Sequence, residues 1–84
     1  MKRYTYQTQG TCSQGIIFEL DEHQCLHNVQ FIGGCAGNTV GISQLVEGMS
    51  AQEVIKRLQG IPCGYKSTSC PDQLAKAISS VVNQ

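Results

Sequence analysis

The chain has 84 residues, and its six basic and six acidic side chains give a formal net charge of zero at neutral pH. This length allows one hydrophobic core, so we expect a single domain over residues 1–84. Balanced charge without a block of like sign argues against a nucleic-acid interface. The basic start has no apolar run behind it, and no segment approaches the roughly 18 apolar residues of a membrane span. We therefore expect a cytoplasmic protein without a membrane partner.

Three β-strands are predicted in the first part of the chain. Tyr and Thr recur with period-two alternation over residues 3–9. The next two segments, 16–20 and 25–32, also place apolar residues on one face: Ile16, Phe18 and Leu20 in one, Val29 and Phe31 in the other. The breaks are short and polar, as in residues 21–24, and short connections favour an antiparallel meander.

Helical periodicity then replaces the alternation. Val40, Leu45 and Val46 fit a first helix that ends near Gly48. A capping box, in which Ser50 and Glu53 satisfy backbone N–H groups, predicts the start of a second helix. Its predicted buried residues are Ala51, Val54, Ile55 and Leu58, and its predicted C′ residue is Gly60.

A third helix is predicted from Pro71 onward. Proline suits the first helical position, which assigns Cys70 to the N-cap, and Asp72 in the first turn complements the helix dipole. Its apolar stripe consists of Leu74, Ala77, Ile78, Val81 and Val82. The predicted fold class is therefore α+β, with a three-stranded antiparallel meander followed by three helices.

Four of the five cysteines fall in breaks between these elements: Cys12, Cys35, Cys63 and Cys70. If the elements run alternately up and down, all four breaks lie at one pole of the domain, and Cys25 lies at the other. A strand of about six residues spans roughly 20 Å and a helix of about ten roughly 15 Å, so the lengths allow this path. Convergent thiols in a reducing compartment indicate a metal or redox centre.

Four thiolates satisfy Zn²⁺ in a tetrahedron, and iron or an iron–sulfur cluster is the second choice for the same ligands. Glycines next to Cys35 and Cys63 would let backbone N–H groups approach sulfur. The spacing itself is not typical of zinc sites, because the closest pair, Cys63 and Cys70, has six residues between its members. Taken singly, each cysteine is better explained as a small buried apolar residue, and only the four together favour a shared centre.

Five further residues lie near these cysteines in the sequence: Gly34, Gly37, Asn38, Lys66 and Asp72. Residues 33–38 precede a helix and could bind a phosphate through backbone amides, although a plain turn is the favoured interpretation. Lys66 could add positive charge beside Cys70, and Asp72 could stabilise a protonated partner if it is not simply a dipole residue. His23 and His27 flank the opposite turn and are predicted surface residues.

Residues 68–72, Thr-Ser-Cys-Pro-Asp, spell the signature of the TSCPD family, which this chain resembles over nearly its whole length. The similarity includes residues 10–13, 33–38 and 63–74. Members of this family also occur at the C-terminus of some cobalamin-dependent ribonucleotide reductases. The resemblance therefore implies a role in deoxyribonucleotide synthesis, with a reductase or another protein as partner. The chain contains no catalytic barrel, so we do not expect it to catalyse that reaction alone.

The order of strands, cysteines and helices also resembles the U-type iron–sulfur scaffold proteins. That resemblance implies Cys12, Cys35 and Cys70 as ligands, with Cys63 as a fourth. Ala36 and Ser69 depart from it, because the scaffold has glycine and histidine at these places.

Three functions are thus compatible with the sequence. The first is a metal-binding accessory module with zinc or iron on four cysteines. The second is a thiol-redox module in which Cys63 and Cys70 exchange electrons. The third is an interaction domain without metal, as a monomer or small homo-oligomer, in which the cysteines only pack.

Overall fold

The computed structural model describes residues 1–10, 13–33, 36–61 and 68–82. Three strands come first: β1 Lys2–Gln7, β2 Ser13–Leu20 and β3 Leu26–Gly33. Three helices follow: α1 Ala36–Val46, α2 Ala51–Leu58 and α3 Cys70–Val82. The predicted α+β order of three antiparallel strands and then three helices is confirmed. No helix in these described ranges is long and apolar enough to cross a membrane.

The strands form one antiparallel sheet in the order β1-β2-β3. Tyr6 pairs with Ile16, and Ile16 with Phe31, so these three side chains lie in one row across the sheet. Tyr4 pairs with Phe18, and their rings stack with centroids 5.4 Å apart. Because side chains alternate along each strand, this register gathers the predicted apolar residues on one face.

The helices cover that apolar face, where α2 packs against α3 and α1 packs against β3. The core that they enclose consists of Ile16, Phe18, Leu20, Leu26, Val29, Val46, Ala51, Val54, Ile55, Leu74, Ala77 and Ile78. Leu58, Val81 and Val82 are partly buried against it, so the predicted apolar faces of α2 and α3 are confirmed. Phe31 of β3 is also partly buried there.

Helix α1 forms as predicted, but only one of the three apolar residues that indicated it is buried. Val46 is buried, but Val40 is 55% exposed and Leu45 is 78% exposed. Thr39 and Ile42 turn inward instead, at three- and four-residue spacing from each other and from Val46. α1 contains no charged residue to mark its solvent side, so packing on β3 decides which stripe is buried.

The ends of α2 agree with the sequence prediction, whereas the N-cap of α3 lies one residue earlier than predicted. Ser50 caps α2 by accepting a hydrogen bond from the Glu53 N–H, and Gly60 follows the C-cap with φ +81°. At α3 the capping residue is Ser69 rather than Cys70, because the Ser69 hydroxyl accepts from the Asp72 N–H at 3.2 Å. The Ser69 carbonyl also accepts the first helical bond, from the backbone N–H of Gln73 at 2.8 Å.

Candidate functional site

The segment from Thr68 to Asp72 forms the buried start of α3. Serine is a better N-cap than cysteine because its oxygen is the stronger hydrogen-bond acceptor, which explains why the cap is Ser69. Cys70 is then the first residue of the helix and is partly buried.

The carboxylate of Asp72 holds this helix start to the end of α2. It is buried, with 2% of the residue exposed. Its oxygens accept hydrogen bonds from the Gly60 N–H at 2.6 Å and the Thr68 hydroxyl at 2.5 Å, and Lys76 Nζ lies 3.3 Å away. Burial opposes ionisation, but the bonds from Thr68, Gly60 and Lys76 outweigh it and lower the pKa of Asp72 below its ordinary value.

Gln73 connects the same helix start to the end of β1. Its Nε2 donates to the Thr68 hydroxyl at 2.9 Å, and its Oε1 accepts from the Gln9 backbone N–H at 3.0 Å. These bonds join with those of Asp72 into one set of contacts, the Asp72 network, formed by Gln9, Gly60, Thr68, Asp72 and Gln73. It links the segments that follow β1 and α2 to the start of α3, although these segments are far apart in the sequence.

Two close approaches bring further segments to this end of the domain. A Cβ atom added at Gly10 would lie 3.0 Å from Cγ2 of Thr68, so the backbone after β1 packs against the α3 start. Ser13 pairs with Gly33 at the same end of the sheet, which joins the start of β2 to the end of β3. Gly10 and Gly60 thus contact the start of α3, and Gly33 is joined to the sheet end through Ser13.

Comparison with known families agrees with the Thr-Ser-Cys-Pro-Asp sequence at this site. The sequence model of the TSCPD domain matches residues 2–82. The chain belongs to the TSCPD family. Comparisons with curated proteins and with solved structures gave no match. In this TSCPD domain, three of the five signature residues, Thr68, Ser69 and Asp72, are buried and hydrogen-bonded to build the helix start.

Only one of the four predicted metal ligands is among the residues described here. Cys70 opens α3, whereas Cys12, Cys35 and Cys63 lie outside the described residues, as do Gly34 and Lys66. Gly37 and Asn38 lie in the first turn of α1. No group of three or more His, Cys, Asp or Glu side chains in the described ranges could hold a metal ion. The four-cysteine site therefore stays a prediction.

Cys25 lies away from the α3 start in the TSCPD domain. It forms an isolated bridge with Ser50, just before α2, and its backbone N–H donates to Asp21 Oδ1 at 2.9 Å. The β2–β3 turn that contains it is at the opposite end of the strands from the Ser13–Gly33 pair. This agrees with the separation of Cys25 that the topology predicts.

An ionic cluster that the sequence did not predict lies at this second end. His23 is exposed as predicted, but both ring nitrogens of His27 are hydrogen-bonded. Nε2 lies 2.8 Å from Asp21 Oδ2 and Nδ1 lies 2.6 Å from Glu47 Oε2. This His27 cluster, formed by Asp21, His27 and Glu47, joins the β2–β3 turn to the end of α1.

The two carboxylates favour the charged form of the His27 imidazole. Hydrogen bonds to Asp21 and then Glu47 raise the pKa of His27 above its ordinary value of 6.5. The backbone N–H of Cys25 and the His27 side chain lower the pKa of Asp21 to about 2. Because both ring nitrogens of His27 are hydrogen-bonded, the cluster holds the β2–β3 turn and the end of α1 together. Neighbouring residues alone could have predicted only the Asx turn, in which Asp21 accepts a hydrogen bond from the His23 N–H.

Proposed function

We propose that this TSCPD domain is a non-catalytic metal-binding module that holds Zn²⁺ on Cys12, Cys35, Cys63 and Cys70. Four thiolates match the charge and tetrahedral geometry that Zn²⁺ adopts in structural sites. Such a site contributes directly to the folding free energy, which suits a domain with a small core. Free or metal-bound thiolates persist in a reducing compartment, so the proposal assigns the domain to the cytoplasm.

The observation that carries the proposal is a set of contacts between described residues that precede or follow the four cysteines in the sequence. Gly10 packs on Thr68, and these residues precede Cys12 and Cys70 by two positions each. Gly33 pairs with Ser13 and precedes Cys35 by two positions. Gly60 is bonded to Asp72 and precedes Cys63 by three. An extended residue spans about 3.3–3.6 Å, so a link of two or three residues is long enough for the proposed ligands to meet there.

The position of Cys70 adds a second argument. Cys70 opens α3 and is only partly buried, so a metal ion can reach this residue. The carboxylate of Asp72 already has partners in Thr68, Gly60 and Lys76, so the proposed ligand set is the four thiolates without it. The metal, when bound, would cross-link three loops and the start of α3.

We infer the cellular role from the family alone. TSCPD domains fused to cobalamin-dependent ribonucleotide reductases suggest that this domain supports ribonucleotide reduction as an accessory module. A direct test mixes the purified domain with such a reductase from which its own TSCPD domain has been deleted. Saturable binding, together with restored reductase activity, would support the role. Absence of both would overturn it without affecting the metal proposal.

The metal proposal is tested by elemental analysis and an absorption spectrum of protein purified anaerobically without added metal. About one zinc per chain in a colourless sample supports the four-thiolate site. Iron with charge-transfer bands would replace zinc by iron or an iron–sulfur cluster at the same ligands. Absence of metal, with all five thiols free to titrate, would overturn the proposal. A reversible Cys63–Cys70 disulfide would then favour the thiol-redox function.

Serine substitution identifies the ligands, and Cys25 provides the matched control. We expect serine at Cys12, Cys35, Cys63 or Cys70 to release the metal and destabilise the fold. Cys25→Ser should retain full metal content because Cys25 belongs to the opposite end of the domain. Metal loss in Cys25→Ser would refute the assignment of ligands. Metal retention in the other four would show that these cysteines only pack, with ordinary costs of roughly 1–3 kcal/mol each.

A further inference from the structure

We propose that the solvent side of α1 is a docking surface for a second copy of this chain. Two apolar side chains project from it, because Val40 is 55% exposed and Leu45 is 78% exposed. Gly41 and Gln44 lie between these side chains on the helix surface and are also exposed. These four residues form the α1 patch. Exposed apolar residues that stand singly are normal, but contiguous apolar patches mark interaction sites.

The α1 patch carries no charge. All 11 residues of the helix, Ala36–Val46, are uncharged. A two-fold axis places a surface opposite its own copy, so a charged side chain near the axis would meet a like charge. The absence of such side chains from α1 makes the patch electrostatically compatible with itself.

An apolar groove adjoins the α1 patch between the end of α1 and α2. It has a volume of about 240 Å³ and is lined by Leu45, Val46, Met49, Val54, Arg57 and Leu58. An apolar cavity of on the order of 150 Å³ already holds a molecule as large as benzene, so this groove has room for a leucine side chain. Arg57 pairs with Glu53 at the surface, which gives the groove the polar border that is typical of protein interfaces.

The projecting Leu45 side chain and the groove belong to the same surface, which favours a second copy over an unrelated partner. In a two-fold interface every contact occurs twice, once from each protomer. Leu45 of each protomer would enter the groove of the other, so one kind of chain supplies both the projecting group and the cavity that it fills. Both copies would thereby remove apolar surface from water.

The size of this surface predicts a reversible dimer. A standard interface covers about 800 Å² on each partner, which is roughly a sixth of the 5097 Å² surface of this domain. Helix α1 is only about 16 Å long, so one of its sides and the adjoining groove cover less than that. We therefore expect a concentration-dependent equilibrium between monomer and dimer. The inference does not depend on the metal proposal, because no cysteine belongs to the α1 patch or lines the groove.

Sedimentation velocity of the full chain tests the proposal between about 1 µM and about 1 mM protein. Reducing conditions prevent intermolecular disulfides from imitating the dimer. The variant is Leu45→Lys, since a lysine introduces a charge into the patch and suits the C-terminal end of a helix. The control is Ile32→Lys. Ile32 is 44% exposed, and it lies on the other face of the sheet because its neighbour Phe31 packs against the core.

We expect the wild-type chain and Ile32→Lys to shift alike from monomer to dimer as the concentration rises. Leu45→Lys should raise the dissociation constant of the dimer at least about tenfold. A wild-type chain that is still monomeric at about 1 mM would overturn the proposal and leave the patch to an unrelated protein. An unchanged dissociation constant in Leu45→Lys, or an equal rise in Ile32→Lys, would also overturn it.

Nuclear magnetic resonance of the wild-type chain supplies a measurement that needs no variant, in case Leu45→Lys does not fold. The amide signals of Val40, Leu45, Met49 and Leu58 should shift as the concentration rises, whereas that of Ile32 should not. Shifts confined to residues outside the α1 patch and its groove would show that the copies meet elsewhere and would overturn the proposal.

Discussion

Replacement of Asp72 by asparagine removes the charge around which the start of α3 is built. The carboxylate accepts from the Gly60 N–H at 2.6 Å and from the Thr68 hydroxyl at 2.5 Å. Asparagine retains one acceptor oxygen but presents an NH₂ donor in place of the other. One of the two donors therefore loses its acceptor in a buried position, and the remaining bond loses its charge.

The expected cost follows from these two bonds. A hydrogen bond to a charged group contributes about 1.5–3 kcal/mol, so losing one and weakening the other should cost about 2–4 kcal/mol. A chain of this length has a total stability of only about 4–13 kcal/mol. In a domain of this size the loss corresponds to a melting temperature lower by about 10–30 °C.

Glu53→Gln is the matched control for this substitution. Glu53 follows its capping residue Ser50 by three positions, as Asp72 follows Ser69, so both acids face a helix N-terminus in the same way. Glu53, however, forms its ion pair with Arg57 at the surface. Its replacement should cost less than about 1 kcal/mol. Urea unfolding followed by circular dichroism measures both variants under one set of conditions.

Equal costs for Asp72→Asn and Glu53→Gln would refute the reasoning, because Asp72 would then act only through the helix dipole. If Asp72→Asn yields no folded protein, Thr68→Val gives a smaller perturbation of the same contacts. It removes the hydroxyl that donates to Asp72 and should cost about 1–3 kcal/mol. A cost near zero for Thr68→Val would also show that the bond between Thr68 and Asp72 does not stabilise the domain.

Three further predictions concern the rest of the domain. The raised pKa of His27 means that its contribution to stability is complete below the unfolded value of 6.5 and is lost as the pH rises through the folded pKa. The free energy of unfolding in urea should therefore be lower at about pH 8.5 than at about pH 6. This decrease should be absent in His27→Gln and retained in His23→Gln, and the same pH dependence in His27→Gln would contradict the prediction. Gly41 lies in open space on α1, so Gly41→Ala should raise stability by about 0.5–1 kcal/mol. Gly48 has φ +81°, so Gly48→Ala should lower stability by about 1–2 kcal/mol. Thermal melts measure both variants, and a shift of the melting temperature in the same direction for both would contradict this prediction. Ser50→Ala should lower the free energy of unfolding by about 1 kcal/mol through loss of the α2 cap, and an unchanged urea midpoint would exclude that role.

The candidate site could be predicted from the sequence only in part. Alternation and turn composition predicted the direction of each strand, and the direction of the strands is what separates Cys25 from the other end of the domain. Three of the four predicted ligands lie outside the described residues, so their convergence is still a prediction. The bond between Gln73 and Gln9 was not predicted, because a glutamine after Asp72 in a helix carries no local sign that it contacts Gln9.

The sequence by itself determined the features that depend on neighbours within a few residues. Period-two alternation fixed the inward face of β2, and the Ser50 and Gly60 signals bounded α2, because these effects are local. Tertiary structure decided the rest. Packing on β3 chose Thr39 and Ile42 over Val40 and Leu45 in α1, where uncharged residues left both stripes acceptable. Likewise, the His27 cluster and the bond between Gly60 and Asp72 join residues distant in sequence, which only the folded chain brings into hydrogen-bonding range.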